Sequence, residues 1–266
     1  MARTNTLGNF LTDVADAIRE KTGSEEAIQA SDFDTAISEI PAGADLSEYF
    51  NSNPESISSP TYWVRDKYIL KTADIIIPNN MTSLSSFCSA VGFAPKIICN
   101  NNVTDMQNLY NGNKASSIDV SGLNTENVTY MANMFKLTTN LESLDLSNFD
   151  TKKVTSMYGM FAHDYSTASN AKLTELDLSS FETPALNNTT EMFSQARKLV
   201  KIDMRNFDFT GITTFNSMFG TSASNGPADN CLIIVADQTQ KDWLNTNFSR
   251  LTNVQTVAEY EASLNS

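Results

Sequence analysis

The side chains best suited to chemistry in this chain are aspartates that recur at one position of a repeated motif. They stand between two apolar residues in four stretches that align without a gap: Asp119, Asp145, Asp177 and Asp203. Alternation of apolar and charged residues is typical of a short strand with one buried face. The sequence therefore predicts a row of outward carboxylates, with Arg205 projecting from the last of the four strands.

This aspartate row has two interpretations. Stacked strands lie about 4.8 Å apart, and carboxylates at that spacing repel by about 1 kcal/mol in water. Exposure, hydrogen bonds from nearby Ser or Asn, or a bound cation would have to relieve the repulsion. We favour a solvated structural ladder without metal, while calcium or a sugar hydroxyl is the alternative ligand.

A second candidate site is the insertion AHDYSTASNA, which places His163, Asp164 and Tyr165 side by side. Equivalent loops follow each repeated motif and are expected along one edge of the molecule: 111–117, 136–140, 162–172 and 220–230. Length differences on one face often mark the recognition side of a repeat protein. The alternative is a surface loop without a ligand.

Catalytic chemistry is not indicated. The chain has one histidine, no G-x-S-x-G motif and no phosphate-binding loop, so it lacks the usual partners for a nucleophile. Cys88, Cys99 and Cys231 have no metal-site spacing, and we predict that they are buried free thiols. We therefore expect a protein that is not an enzyme and needs no cofactor.

The elements that position these residues are tandem repeats. The aligned stretches are IDVSGLNTENVTYMANMF (118–135), LDLSNFDTKKVTSMYGMF (144–161), LDLSSFETPALNNTTEMF (176–193) and IDMRNFDFTGITTFNSMF (202–219). Their starts differ by 26, 32 and 26 residues. A period in this range indicates a solenoid, in which each unit buries its apolar face against its neighbours.

Apolar positions within the unit predict its elements. Leu141, Leu173 and Leu199 precede three of the strands by three residues and complete an L-x-x-L-x-L pattern. Met and Phe recur later at helical spacing, as in Met131, Met134 and Phe135, which predicts a short helix or 3₁₀ segment in each unit. The predicted fold is an α/β solenoid of the leucine-rich-repeat type, with short parallel strands, short helices and a small helical N-terminal module.

The repeat resembles that of the BspA-like surface-protein family, a relative of the leucine-rich repeat that is found in bacterial surface lipoproteins and adhesins and in some phage tail proteins. The string LDLSNFDTKKVTSMYGMF carries this resemblance, which covers residues 75–255. Three positions depart from the usual pattern: Thr189, Phe209 and Phe215. The resemblance implies a non-enzymatic role in binding or adhesion and leaves the ligand open.

The remaining sequence divides into caps, a linker and a separate module. We predict an N-terminal cap with a degenerate repeat at 62–95, repeats at 96–230 and a C-terminal cap at 231–266. The C-terminal cap should contain a strand at 231–235 and a helix that carries Trp243, Leu244 and Phe248. Residues 46–61 form a Ser-, Asn- and Pro-rich linker.

Residues 1–45 are expected to form two amphipathic helices. Their apolar stripes are Leu7, Phe10, Leu11, Val14 and Ile18 in the first helix and Phe33, Ile37 and Ile40 in the second. Two helices of this length cannot bury a core alone. We therefore expect them to attach to a larger particle or to form a homo-oligomer.

Residues 14–40 resemble a segment of tail and baseplate proteins of phages that infect Gram-positive bacteria. Together the two resemblances imply a phage tail or baseplate protein, of a phage or a phage-derived contractile particle, which binds a bacterial surface protein or glycan through its repeats. The alternative is a bacterial surface adhesin whose export signal is missing from the sequence given.

The charge and the start of the chain limit partners and location. A formal charge of −13 opposes non-specific binding to nucleic acid or anionic lipid. The sequence has no apolar run long enough for a membrane span, and its first residues do not read as a secretory signal. We expect a virion protein assembled in the host cytoplasm, with the bacterial cell surface as the alternative location.

Overall fold

The computed structural model describes residues 75–77, 79–92, 94–222 and 225–265. The predicted helical module at 1–45, the linker at 46–61 and the start of the N-terminal cap lie outside these described residues. The same holds for all eight apolar residues that we expect to attach or oligomerise the chain.

The described part of the chain is an α/β structure with parallel strands and few helices. Its strands are β1 (Ile75–Ile76), β2 (Ile97–Ile98), β3 (Glu175–Asp177), β4 (Lys201–Asp203), β5 (Leu232–Val235) and β6 (Val254–Thr256). Its helices are α1 (Gln238–Asn247) and α2 (Val257–Leu264), with a 3₁₀ helix at Ala168–Asn170. Strands β1 and β2 form one parallel pair, and β3, β4, β5 and β6 form a second parallel sheet in chain order.

A row of single-residue parallel bridges joins successive repeats away from these sheets. Each bridged residue pairs with its equivalent one repeat later, in the order Ser83, Asp105, Tyr130, Ser156, Asn188 and Thr214. The last four bridged positions are separated by 26, 32 and 26 residues, as the aligned stretches are. Equivalent residues of successive repeats are therefore neighbours in space.

The helix predicted after each strand motif is wrong. Residues 132–137 form turns, and alternate backbone N–H groups from 131 to 137 donate to the next repeat instead of to the preceding helical turn. Met131 N donates to Ser156 O at 3.0 Å, and Phe135 N donates to Met160 O at 3.0 Å. Asn133 lies between them with φ of 54°, a left-handed conformation that ends any helix.

The same left-handed position recurs in every repeat: Ser86, Asn108, Asn133, Gly159, Glu191 and Ser217. Gly159 is the one glycine of this column, with φ of 57°. A Cβ atom there would lie 2.5 Å from Asn133 Oδ1 of the preceding repeat, so the glycine also admits a close neighbour.

The interior is filled by aromatic rings that stack from repeat to repeat. Ring centroids along one column are 5.3–5.9 Å apart, and the order is Tyr110, Phe135, Phe161, Phe193 and Phe219. A second stack joins Phe149 and Phe181 at 6.1 Å. All these rings are buried, so aromatic rings run through the interior of the described repeats.

Two of the four predicted strand motifs lack regular strands. At 118–120 and 144–146 the apolar residues still point inward and the aspartates outward. However, the carbonyls of Val120 and Leu146 accept hydrogen bonds from side chains of the next repeat, Asn148 Nδ2 at 3.1 Å and Ser180 Oγ at 3.1 Å. Side-chain donors thus occupy carbonyls that a regular ladder would use. The later motifs at β3 and β4 keep backbone pairing.

The strand and the helix predicted for the C-terminal cap are present, and the cap contains a further strand and helix. Strand β5 is confirmed, and α1 packs Trp243 and Leu244 against the last repeat, with Phe248 directly after the helix. The prediction missed β6 and α2. Helix α2 begins at a capping box, in which Thr256 Oγ1 accepts from Glu259 N and the Glu259 side chain accepts from Thr256 N.

Candidate functional site

The aspartate row is used to make turns. Each carboxylate accepts a hydrogen bond from the backbone N–H two residues later, at 2.9 Å for Asp119, 3.0 Å for Asp145 and 2.9 Å for Asp177. These three side chains are exposed. Each turns the chain after the strand motif as an Asx turn.

Hydrogen bonds also favour the ionised form of Asp119 and Asp145. Ser121 donates its hydroxyl to Asp119 at 2.6 Å, and this bond is the largest cause of the lowered pKa of Asp119. The backbone N–H of Ser147 is the largest cause of the lowered pKa of Asp145. Exposure and these donors relieve the repulsion within the row.

Asp203 differs from the other members of the row because it is buried, with 6% of its surface exposed. Its carboxylate binds Arg205 through both oxygens, with the shortest contact at 2.6 Å to Nη2. Asp177 is its register partner on β3. The expected uniform exposed row is therefore wrong at its last position, where Arg205 compensates a buried carboxylate.

The insertion loop brings His163, Asp164 and Tyr165 to the surface, but its three side chains differ in environment. Tyr165 is 76% exposed, and the Arg197 guanidinium lies 4.7 Å from its ring centroid. His163 is partly buried, and its Nδ1 has no hydrogen-bond partner among the described residues. Burial lowers the pKa of His163 to about 4; the charge of Asp164 opposes this shift slightly, and the charge of Lys114 adds to it.

The two predicted sets do not form one site. In the part of the chain that the structure describes, no hydrogen bond or ion pair joins the aspartate row to the insertion loop. Asp177, Asp203 and Arg205 are brought together, whereas Asp119 pairs with Lys96 at 3.6 Å.

The three thiols are buried and free, as predicted. Desolvation raises the pKa of Cys88, Cys99 and Cys231, to about 12 for Cys231. Thiolates are the reactive form of cysteine, so these side chains are poor nucleophiles. Among the described residues no group of three or more His, Cys, Asp or Glu could hold a metal ion.

A groove that the sequence reasoning missed lies beside the loops. It has a volume of about 470 Å³ and is lined by Gly92, Ala94, Lys114, Ala115, Ser116, Ser117, Asn140 and Lys172. Lys114, Asn140 and Lys172 stand four residues before successive strand motifs. Their shared place in the repeat was the signal that could have found the groove.

The comparisons identify a family for these repeats. A family described as "Mycoplasma protein of unknown function, DUF285" matches residues 85–173 and 104–231. Together the matches span 85–231, more than half of the chain. The chain belongs to this family. The family is associated with BspA-like surface repeat proteins, which agrees with the resemblance of the repeat motif.

The comparison with curated proteins finds no match, and neither does the comparison with solved structures. Within the described residues, no helix has the length and apolar character needed to cross a membrane.

Proposed function

We propose that this family member is a non-enzymatic phage tail or baseplate protein that binds the host cell surface through a solenoid of repeats. The observation that carries the binding role is the parallel pairing of equivalent residues in successive repeats. This pairing places equivalent side chains next to one another in rows along the stack. Repeat proteins with this construction offer extended binding surfaces.

A solenoid is supported by the parallel bridges between consecutive repeats and by the aromatic stacks inside them. Backbone donors on alternate residues reach the next repeat at four places between 131 and 137. Such contacts join each unit only to its neighbours, which is the organisation of a solenoid. The C-terminal cap covers the apolar face of the last unit.

A role in binding without turnover is supported by what the reactive side chains do. The aspartates make turns, the thiols are buried with raised pKa, and the His163 pKa of about 4 leaves the imidazole neutral at pH 7. Turn-forming carboxylates and buried, protonated thiols are poorly suited to proton transfer or nucleophilic attack.

The assignment to a phage particle rests on the resemblance of residues 14–40 to tail and baseplate proteins. We propose that the helices in residues 1–45 attach the chain to the tail and also form a homo-oligomer, and that the protein is assembled into virions in the host cytoplasm. The receptor would be a bacterial surface protein or glycan.

The second candidate is a bacterial surface adhesin of the BspA-like type. The family match supports it, because that family is associated with surface repeat proteins. Both candidates bind through the repeats. They differ in whether the N-terminal part of the chain is attached to a phage particle or to a bacterial cell surface.

Two measurements test the proposal. The full chain, labelled with a fluorophore, should bind intact bacteria or their cell-wall fraction, and antibodies against it should label tail tips in electron micrographs of purified particles. Labelling of cell envelopes without any labelled particle would favour the adhesin. Failure to bind any envelope fraction from a broad set of bacteria, by a folded protein, would contradict both candidates.

Light scattering tests oligomerisation. The full chain should have a multiple of the 29.3 kDa chain mass, and a chain lacking residues 1–45 should have the mass of a monomer. A monomer in both cases would contradict the proposed homo-oligomer.

A further inference from the structure

The loop edge of the repeats carries a charge opposite to that of the chain. Segments 111–117, 136–140, 162–172, 194–200 and 220–230 contain five basic side chains and two acidic ones, Asp164 and Asp229. The basic residues are Lys114, Lys136, Lys172, Arg197 and Lys198. The whole chain has 18 Lys and Arg against 31 Asp and Glu. Basic residues are thus concentrated on this edge and would attract an anion locally.

The groove places part of this charge in a concave site. Lys114 and Lys172 both line it, and both are exposed. Asn140 lies between them in the stack, with its Nδ2 donating to Lys114 O at 2.8 Å. Because one repeat lies between them, the two lysines are about 10 Å apart along the stack, roughly the length of a disaccharide.

Neutral polar groups complete the groove. Ser116 and Ser117 supply exposed hydroxyls beside Lys114, and hydroxyls and amides can both donate to and accept from sugar hydroxyls. Glu142 pairs with Lys172 at 2.8 Å. Exposed ion pairs are weak, so an anionic ligand can replace this carboxylate.

We infer that this groove binds a linear anionic glycan, with Lys114 and Lys172 contacting two charged groups and Ser116, Ser117 and Asn140 contacting sugar hydroxyls. The inference rests on the proposed role in binding a host surface and names the class of ligand. A glycan fits better than nucleic acid because no aromatic side chain lines the groove for base stacking. The net charge of −13 would also repel the backbone of nucleic acid, which carries a denser negative charge than a glycan does.

Calorimetry with defined polymers tests this inference on the full chain. Oligogalacturonate supplies carboxylates, glycerol-phosphate oligomers supply phosphates, and neutral galactan of equal length is the control. We expect one or both anionic polymers to bind and the galactan not to bind. The affinity of K114Q/K172Q should fall by about tenfold or more, and binding should weaken at about 0.3 M salt.

Two matched variants separate a local site from net charge. K152Q/K153Q removes the same charge from another corner of the repeat, where Lys152 pairs with Glu182 at 3.3 Å, and should change affinity by less than about twofold. E142Q frees Lys172 and should tighten binding about threefold. E182Q removes an equivalent acidic group from the control corner and should have little effect.

The inference would be overturned if neither anionic polymer bound better than galactan, or if K152Q/K153Q weakened binding as much as K114Q/K172Q. Tighter binding of single-stranded DNA or of phosphatidylglycerol vesicles than of either glycan would also overturn it. Circular dichroism of each variant shows that it is folded. If K114Q/K172Q still binds bacteria as the parent chain does, the groove is wrong as the receptor site, while the wider proposal of host binding stands.

Discussion

The regular repeats and the C-terminal cap pack aromatic side chains in different ways. Between Tyr110 and Phe193, stacked rings are nearly parallel, at 5–7°. In the cap, Phe248 meets Phe215, Phe219 and Trp243 edge to face, at 60–77°. Near-parallel stacking follows from translating one unit onto the next, whereas the cap ends that translation.

Departures from the repeat pattern mark the boundary between these regions. Thr125, Thr151 and Thr183 are buried and hydrogen-bond to the backbone of the next repeat, and Thr183 Oγ1 accepts from Asp208 N at 2.8 Å. The fourth residue of this column is Phe209, which stacks on Trp243 at 4.9 Å. A hydroxyl is used where another repeat follows, and a ring is used where the cap begins.

The largest expected effect comes from removing a ring in the middle of a stack. Phe193 is fully buried between Phe161 and Phe219. Phe193→Ala should lower the free energy of unfolding by about 3–5 kcal/mol, because it leaves a cavity between two rings. Urea unfolding followed by circular dichroism measures this. Tyr165→Ala, at a side chain that is 76% exposed, is the control and should change little. Equal losses in the two variants would contradict the importance of the stack.

Replacing Phe209 by the threonine found at this position in the other repeats should weaken the packing of the C-terminal cap on the last repeat. Phe209→Thr removes the ring that stacks on Trp243 and should cost about 3 kcal/mol. The emission of Trp243 should move to longer wavelength because the indole gains water. Phe209→Leu keeps much of the apolar contact and should lose less. An unchanged emission in folded Phe209→Thr would show that this contact does not hold the cap.

The insertion loop should make the stability of its repeat depend on pH. The pKa of His163 is lowered from 6.5 to about 4, so the unfolded chain takes up a proton that the folded chain excludes. The destabilising effect of His163 is therefore absent above pH 6.5, grows as the pH drops towards 4 and does not increase further below that. The loss is up to about 3 kcal/mol.

Urea unfolding from pH 7 to pH 4 measures this dependence. His163→Gln keeps a polar side chain without the titration, so its stability should fall less over the same range. Parallel pH profiles for the parent chain and the variant would contradict the buried, neutral imidazole.

The smallest expected effect concerns buried threonine hydroxyls within the regular repeats. Thr189 occupies the column of Met131 and Met157 and is fully buried. Its hydroxyl has no hydrogen-bond partner among the described residues. Thr189→Val should stabilise the protein by about 1 kcal/mol, because it removes an unpaired buried hydroxyl. Thr183→Val, whose hydroxyl is paired, should destabilise it. The same sign in both variants would refute this distinction.

The repeat boundaries, buried columns and C-terminal strand and helix could be predicted from the sequence, because apolar residues recur at fixed positions. The error was the helix at 131–135. Spacing of three and four residues also arises from consecutive turns whose donors pair with the next repeat. The recurring Asn and Gly at 108, 133 and 159 indicated left-handed residues, which favour turns.

The candidate site was predictable only in part. The serine beside Asp119 indicated a hydrogen-bonded carboxylate, and the structure has that bond. Asp203 is buried where β4 pairs with β5 of the C-terminal cap, which is distant along the chain from the first aspartates. The groove depends on Lys114 and Lys172, which have one repeat between them and become neighbours only when the repeats stack. Local patterns cannot show contacts of this kind.

The insertion has a practical consequence for engineering. Six extra residues separate Ser156 and Asn188 compared with the next bridged pair, yet their bridge is kept. The added length is taken up at the rim around Tyr165, where the side chain is 76% exposed. This corner can therefore accept foreign peptides, such as an epitope or a labelling tag, and display them without disturbing the layers on either side.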